Sequence, residues 1–489
     1  MLRSSARRKI PSYRCYWGHR RRLSTGLNAS VSPPITAVEK IIIDGIKATG
    51  PISFATYMQM CLSHPTQGYY MNPSNPIFGA KGDFVTSPEI SGVFGELVGV
   101  WLMAQWMQTT EKRLPIRIVE LGPGRGTLMH DILRVAAQFG GSHLKKVHLV
   151  ETSPTLRALQ DARLAPSAEK YGCTLEWHDS VEQIRRSEEE YTMVVAHEFF
   201  DALPFHVIEK TEKGWQEILI ALAESSPAAP SPPSQTDSAP PDSDATAEPA
   251  PLPEPYPRFR YVLAPHPTAA STLLGMSSPR FRDPGLPVGT RLEVSPVGFR
   301  TMRPVGELIS GESSSQSAEA PVVGVDPSSQ SSEDSGGDAH GKARIRTRGC
   351  GLIVDYGASR AFEQSFRAFK NHSIVDVFHA PGECDLTANV DFAYLKEAVG
   401  DLVPTHGPIS QAAFLEGMGL QQRVGRLVTD ARNTNSHSDA ERIREAARRL
   451  VDRAGMGSEY KVLGIGGVPH EEEGVVWPFV REEEGAKVV

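Results

Sequence analysis

Between residues 119 and 128 the sequence reads VELGPGRGTL, placing three glycines and a proline in the five positions 122 to 126 directly behind an apolar run. Glycine has no Cβ and accepts positive φ, so Gly122, Gly124 and Gly126 allow the backbone to press against a bound molecule. A helix entered at Thr127 adds unpaired N–H groups and the positive end of its dipole. Strand, glycine turn and helix in that order outline the crevice where open α/β sheets hold ligands. The dinucleotide fingerprint G-x-G-x-x-G requires glycine at 127, and this chain has threonine there.

The shorter form, Glu120, Gly122, Gly124 and Gly126 at alternate positions, resembles motif I of the class I S-adenosylmethionine-dependent methyltransferases. That resemblance implies a turn that passes the methionine and ribose portions of the cofactor. It also implies an acidic residue at the end of the next strand to accept both ribose hydroxyls, and Glu151 in HLVETS stands there. A carboxylate has lone pairs enough for a vicinal diol. Asp179, behind CTLEWH, is placed to approach the adenine edge.

Elements that can position these residues flank them. IRIVEL precedes TLMHDILRVAAQF, in which Leu128, Ile132, Leu133 and Ala136 recur at helical spacing. KVHLVE precedes SPTLRALQDARL, where Ser153 before Pro154 is a helix start. CTLEWH precedes SVEQIRRSEEE, and TMVVAHE returns to strand. Such β-α repeats predict an α/β fold with a mostly parallel sheet and helices on both faces. GTRLEVS, CGLIVDYG and EYKVLGIG are further strand candidates. Residues 35–112, with the apolar SGVFGELVGVWLMAQWM, predict an N-terminal helical lobe ahead of a catalytic domain over 113–469, and 470–489 form an acidic tail. Two low-complexity stretches, 225–257 and 310–343, cannot bury enough apolar surface to order themselves. They read as surface loops inside one domain, the first lying between the strand-like WQEILIAL and RFRYVLAP.

The 489-residue chain is 40% hydrophobic and 22% charged, within the range of ordinary globular proteins. No apolar run reaches the length of a membrane-spanning helix. Cys15, Cys61, Cys173, Cys350 and Cys384 are scattered singly, with no CxxC pair and no histidine cluster at metal spacing, which predicts reduced thiols and no metal. Residues 1–38 hold seven arginines and Lys9 but no acid, the composition of a mitochondrial presequence, assigned to 1–34. A basic nucleic-acid-binding arm is the competing reading, and it leaves the absence of acids unexplained. Subtracting those eight charges from −7 leaves −15, which argues against a general nucleic-acid binder.

Seven longer segments resemble one family, the mitochondrial complex I assembly arginine methyltransferases and their bacterial relatives of the MidA type. They are GDFVTSPEISGVFGELVGVW, VELGPGRGTLMHDILR, VVAHEFFDALPFHVIE, GLIVDYG, CDLTANVDFAYL, GPISQAAFLEGMGLQQR and MGSEYKVLGI, spread in order over about 40 to 465. The resemblance implies a matrix enzyme that moves methyl groups from S-adenosylmethionine to arginine in a core subunit of respiratory complex I during assembly.

On that reading the loop AHEFFDALP presents the substrate, because it ends a strand beside the cofactor crevice. Glu198 and Asp201 could grip a guanidinium, localising its charge and orienting one nitrogen for attack. His197 could accept the released proton. Phe199 and Phe200 would wall the channel. The competing reading makes Glu198 and Asp201 helix caps and His197 a satisfied strand-end histidine. Thr86, Ser87, Pro88 and Glu89, with Asp83 just ahead, read equally as a helix start and as part of a lid over the cofactor. DYG at 355–357 reads as a turn, and DLTANVDF, with Asp385, Thr387, Asn389 and Asp391, lacks the glycine and distal glutamate of a calcium loop. Two other functions stay open: an assembly chaperone with a vestigial or regulatory pocket, and a methyltransferase of small molecules.

Overall fold

Strands covered on both faces must be apolar almost throughout, and the segments behind the glycine turn meet that condition. In the computed structural model, which describes residues 14–15, 34–75, 85–108, 114–223, 258–310, 347–434, 436–467 and 476–479, the central sheet has seven strands in one path, and the short strand Val390–Asp391 pairs to one of them as an eighth. The seven are Ile116–Leu121 (β1), Leu144–Val150 (β2), Thr174–His178 (β3), Tyr191–His197 (β4), Gly349–Ala358 (β5), Thr405–Ser410 (β6) and Tyr460–Gly466 (β7). Every residue of β1 and β4 is buried. The order across the sheet is β3-β2-β1-β4-β5-β7-β6. Strands β1 to β5 are parallel, β7 runs antiparallel to β5, and β6 antiparallel to β7. The order reverses direction between β1 and β4, which opens a crevice at their carboxyl ends.

Helices cover both faces, as the β-α pattern predicts. Gly92–Gln108 (α1) and Thr127–Gly140 (α2) share one core, in which Trp101, Leu128, Ile132, Leu133 and Ala136 meet. Pro154–Tyr171 (α3) adds Leu164 and Ala168 to it. Helices Pro296–Ser310 and Phe392–Val399 cover the other face, packing Met302, Val305 and Leu395 against Val119, Val194 and Ile353. Between β3 and β4, however, SVEQIRRSEEE makes only a 3-10 turn at Val181–Gln183 followed by irregular chain. Val181 and Ile184 are its only buried residues, and the charges behind them offer no apolar stripe for a helix to bury.

The helices of 35–112 do not stay together. Helix α1 is apolar all round and belongs to the central core. Helices Ala37–Thr49 and Phe54–Ser63 instead seat Ile42, Tyr57 and Met58 on a second, antiparallel sheet. That sheet runs Phe259–Leu263, Gly214–Leu222, His206–Thr211, Arg291–Val294, with Ile52–Ser53 also pairing to Gly214–Leu222. GTRLEVS, expected near the parallel sheet, contributes its strand here. Leu222 pairs with Phe259, so the low-complexity stretch 225–257 joins the two strands of one hairpin. A small third sheet, Arg367–Lys370, Ser373–Val375 and Asp385–Thr387, completes this side. Apart from residues 14–15, 34, 310 and 476–479, the presequence, both low-complexity stretches and the acidic tail lie outside the described residues, as does Asp83. No helix of the described residues is long and apolar enough to cross a membrane.

Candidate functional site

A cavity of about 340 Å³ opens at the carboxyl ends of β1 to β4, between the central sheet and the second-sheet side. Its walls include Glu120, Gly122, Gly124, Glu151, Asp179, His197, Glu198 and Asp201. The glycine turn holds one end. Gly122, Gly124 and Gly126 have φ of 64°, 54° and 75°, in the region that side chains avoid. The Gly122 N–H donates to the Val150 carbonyl at 3.0 Å, and a Cβ on Gly122 would stand 2.8 Å from Phe199. Gly126 is placed differently from the expectation. It caps α2 and faces Leu164, where a Cβ would sit at 3.4 Å, and it does not line the cavity.

Glu120 is 2% exposed, and its Oε2 has no hydrogen-bond partner. Burial pushes its pKa up to about 8. Glu151 is held in place: Oε1 accepts the Ser153 N–H at 2.8 Å and Oε2 the Gln160 amide at 3.3 Å. Burial raises its pKa, opposed by those two donors. Gln160 itself is fixed by the Gly124 carbonyl at 2.8 Å and by Trp177 Nε1 at 2.9 Å, so turn and acid are tied through one side chain. Arg157 bridges the Glu151 carbonyl and the exposed Asp179 carboxylate, both at 2.6 Å. Thr86, Pro88 and Glu89 also line this end, and Glu89 accepts the Thr127 hydroxyl. S-adenosylmethionine fits the donor set. The partnerless Glu120 oxygen suits an ammonium, the oriented Glu151 carboxylate a diol, and the left-handed glycines a close backbone approach.

The other end is acidic and aromatic. Glu198 directly follows β4 at φ 50°, a conformation that a glutamate rarely adopts. Its N–H donates to the Val354 carbonyl at 3.0 Å, and its carboxylate accepts the Tyr460 hydroxyl, which lies 2.6 Å from that of Tyr356. Burial, then the nearby Asp201 charge, pushes Glu198 up to about 8. Asp201 accepts the Thr387 hydroxyl on Oδ2 at 2.7 Å, while Oδ1 is buried without a partner. Asp385 accepts the Tyr70 hydroxyl at 2.8 Å. His197 stacks on Tyr460 with ring centroids 5.9 Å apart and meets the edge of Phe94. Burial drives it down to about 3, so it stays neutral. Phe199 lines the cavity, whereas Phe200 turns into the core.

Sequence reasoning missed part of this constellation. The sequence DYG reads as a turn, yet Asp355 takes three loop N–H groups and Tyr356 lines the cavity. Asp385 and Thr387 belong to a short strand with one face on the cavity. The alternation of polar residues in DLTANVDF was the available signal, since period two marks a strand with a polar face. Tyr70 and Tyr460 carried none.

The family model described as "Putative S-adenosyl-L-methionine-dependent methyltransferase" matches residues 97–409. The protein named arginine methyltransferase NDUFAF7, mitochondrial, of Danio rerio is 33% identical over 92% of this chain and 90% of its own length. The protein of the same name from Homo sapiens is 32% identical over 91% and 86%. The Drosophila melanogaster homolog is 34% identical over 86% and 82%. A crystal structure from Burkholderia thailandensis, bound to S-adenosyl-homocysteine, has a TM-score of 0.60 at 22% identity, covering 88% of this chain and 92% of that one. At that identity the likeness is one of fold.

Proposed function

The chain belongs to this S-adenosyl-L-methionine-dependent methyltransferase family, and from that membership we propose that it methylates arginine in a core subunit of respiratory complex I during assembly in the mitochondrial matrix. The relatives' names support arginine as the acceptor and the mitochondrion as the place, and the basic, acid-free N-terminus is in keeping with import. One observation carries the substrate reading: Glu198, Asp201 and Asp385, three largely buried carboxylates, meet the hydroxyls of Tyr460, Thr387 and Tyr70 at one end of the cavity whose other end is the glycine turn. Burial raises the pKa of Glu198 and Asp201, a cation stabilises such acids in their ionised form, and a guanidinium matches their planar acceptors.

Bound in the cavity, S-adenosylmethionine supplies an electrophilic methyl group. Glu120 would take the ammonium, Glu151 the ribose hydroxyls, and Asp179 the adenine edge. Glu198 and Asp201 hold the guanidinium, drawing its positive charge toward the far nitrogens and fixing the near one in line with the methyl. Methyl transfer would form the N–C bond as the S–CH3 bond breaks and S-adenosylhomocysteine leaves, and the methylated nitrogen would then give up a proton. His197, held near 3, is a weak acceptor, whereas Glu198, raised to about 8, is suited to take it. His197 then acts through packing, keeping the Tyr460 ring against Glu198. Mass spectrometry of complex I core subunits from cells with and without the protein tests the proposal. An arginine methylated only in its presence is the expected result, and identical methylation in both overturns it.

A further inference from the structure

Away from the cavity, two neighbouring strands assemble a second set of ligand-type side chains. His148 on β2 stands opposite Glu176 on β3, and His178 lies two residues farther along β3 beside Val150. Alternation along each strand puts all three on one face. His148 Nδ1 lies 2.9 Å from His178 Nε2 and 3.6 Å from the Glu176 carboxylate, and one ligand atom from each residue falls within 4.8 Å of the others. The sequence predicts no metal because these histidines share no local motif. Parallel pairing of β2 and β3 brings them together.

We propose that His148, Glu176 and His178 bind a divalent transition-metal ion of the zinc class, with water completing its coordination. Two imidazoles and one carboxylate are a donor set such ions accept while keeping a position open. Nitrogens held about 2.0–2.1 Å from a tetrahedral ion lie roughly 3.3 Å apart, so the rings need to separate only slightly. Glu176, half exposed, is able to swing to meet the ion and leaves a path from solvent.

The ligand state is also suitable. Burial lowers the pKa of both rings, His148 to about 4, which favours the neutral imidazole that a metal binds. His148 is 6% exposed, and its Nε2 has no hydrogen-bond partner. An ion at Nδ1 would replace the hydrogen bond that this atom shares with His178 Nε2. The cations around the cluster are already engaged: Lys146 and Arg117 lie 2.9 and 3.7 Å from Glu190, and Arg157 lies 2.6 Å from Asp179, which blunts their repulsion of an ion. Asp179 follows His178 directly and lines the cofactor cavity, so the ion would fix the strand end that carries it.

The test uses full-length protein stripped by a chelator and then titrated with Co²⁺, with Zn²⁺ in competition. A single Co²⁺ should bind with the visible absorption of a low-coordinate nitrogen and oxygen site, and Zn²⁺ should displace it. His178→Ala and Glu176→Gln, both at positions with solvent access, should each weaken Zn²⁺ binding by at least about tenfold. Their circular dichroism and melting temperature without metal should match those of the parent. Absence of binding in the parent overturns the proposal, and so does binding that survives both substitutions.

Discussion

Asp355, inside β5, accepts the backbone N–H of Phe200 on Oδ2 at 3.0 Å, and the same oxygen receives Phe199 and Asp201 at 3.2 and 3.3 Å. One buried carboxylate thereby shapes the whole loop behind β4, including the left-handed Glu198. Asp355→Ala leaves three N–H groups without their acceptor, each costing roughly 1–3 kcal/mol where it stays buried. A loop misplaced by about 1 Å loses on the order of 100-fold in rate. Turnover on the protein substrate should fall by that order, while calorimetric affinity for S-adenosylmethionine changes little. Asp355→Asn keeps an acceptor oxygen and should recover part of the rate. Equal losses of affinity and rate would contradict a role confined to the loop.

At the opposite end, the turn should tolerate no side chain. Gly124→Val places a β-branched residue at φ 54° in the wall of the cavity. Gly122→Ala drives a methyl into Phe199 at 2.8 Å. Both should abolish calorimetrically detectable S-adenosylmethionine binding or nearly so. Glu151→Ala, which removes charge-assisted bonds worth about 1.5–3 kcal/mol, should weaken it by roughly 10- to 100-fold. An unchanged Kd for Gly124→Val sinks the placement of the cofactor.

These residues show why the two ends of the cavity were unequally legible. Gly122, Gly124, Glu120 and Glu151 sit within one β-α-β unit, where strand end, turn and next strand end follow in order, so local spacing maps onto the crevice. The substrate end is gathered from afar. Tyr460 reaches Glu198, and Tyr70 reaches Asp385, from far along the chain, and only the tertiary fold decides that they meet. The same limit hid the antiparallel sheet: GTRLEVS and WQEILIAL read correctly as strands, but period two does not say which partner a strand takes. Helix α1 reads as part of a separate lobe yet packs in the central core, because an all-apolar helix announces burial without announcing its neighbour.

Glu120 makes a proton-linked prediction. Its pKa in the folded protein, about 8, lies above the ordinary carboxylate value, so the folded state holds a proton that the unfolded chain releases. Its contribution to stability is therefore fully present at acid pH and is lost as pH rises through about 8. Without cofactor, melting should weaken between pH 6 and 9, and Glu120→Gln should flatten that decline, by on the order of 3 kcal/mol at pH 9. Binding an ammonium reverses the preference. Titrations at pH 7 in buffers of different ionisation enthalpy should show proton release on binding S-adenosylmethionine, reduced in Glu120→Gln.

The last prediction concerns the hydrogen bond from Tyr460 to Glu198. Glu198 must be ionised to hold a guanidinium and receive its proton, so the rising limb of kcat/KM against pH should report its titration in the free enzyme. Tyr460 donates to the carboxylate and holds its pKa down against burial and the Asp201 charge. Tyr460→Phe removes that donor, raises the Glu198 pKa, and should shift the limb to higher pH while leaving the plateau within a few-fold. Glu198→Gln, unable to ionise, should lose methyl transfer at every pH yet keep S-adenosylmethionine binding, because the glycine turn and Glu151 are untouched. A limb that stays in place in Tyr460→Phe would mean that another group controls it. Full activity in Glu198→Gln would remove this carboxylate from the reaction altogether.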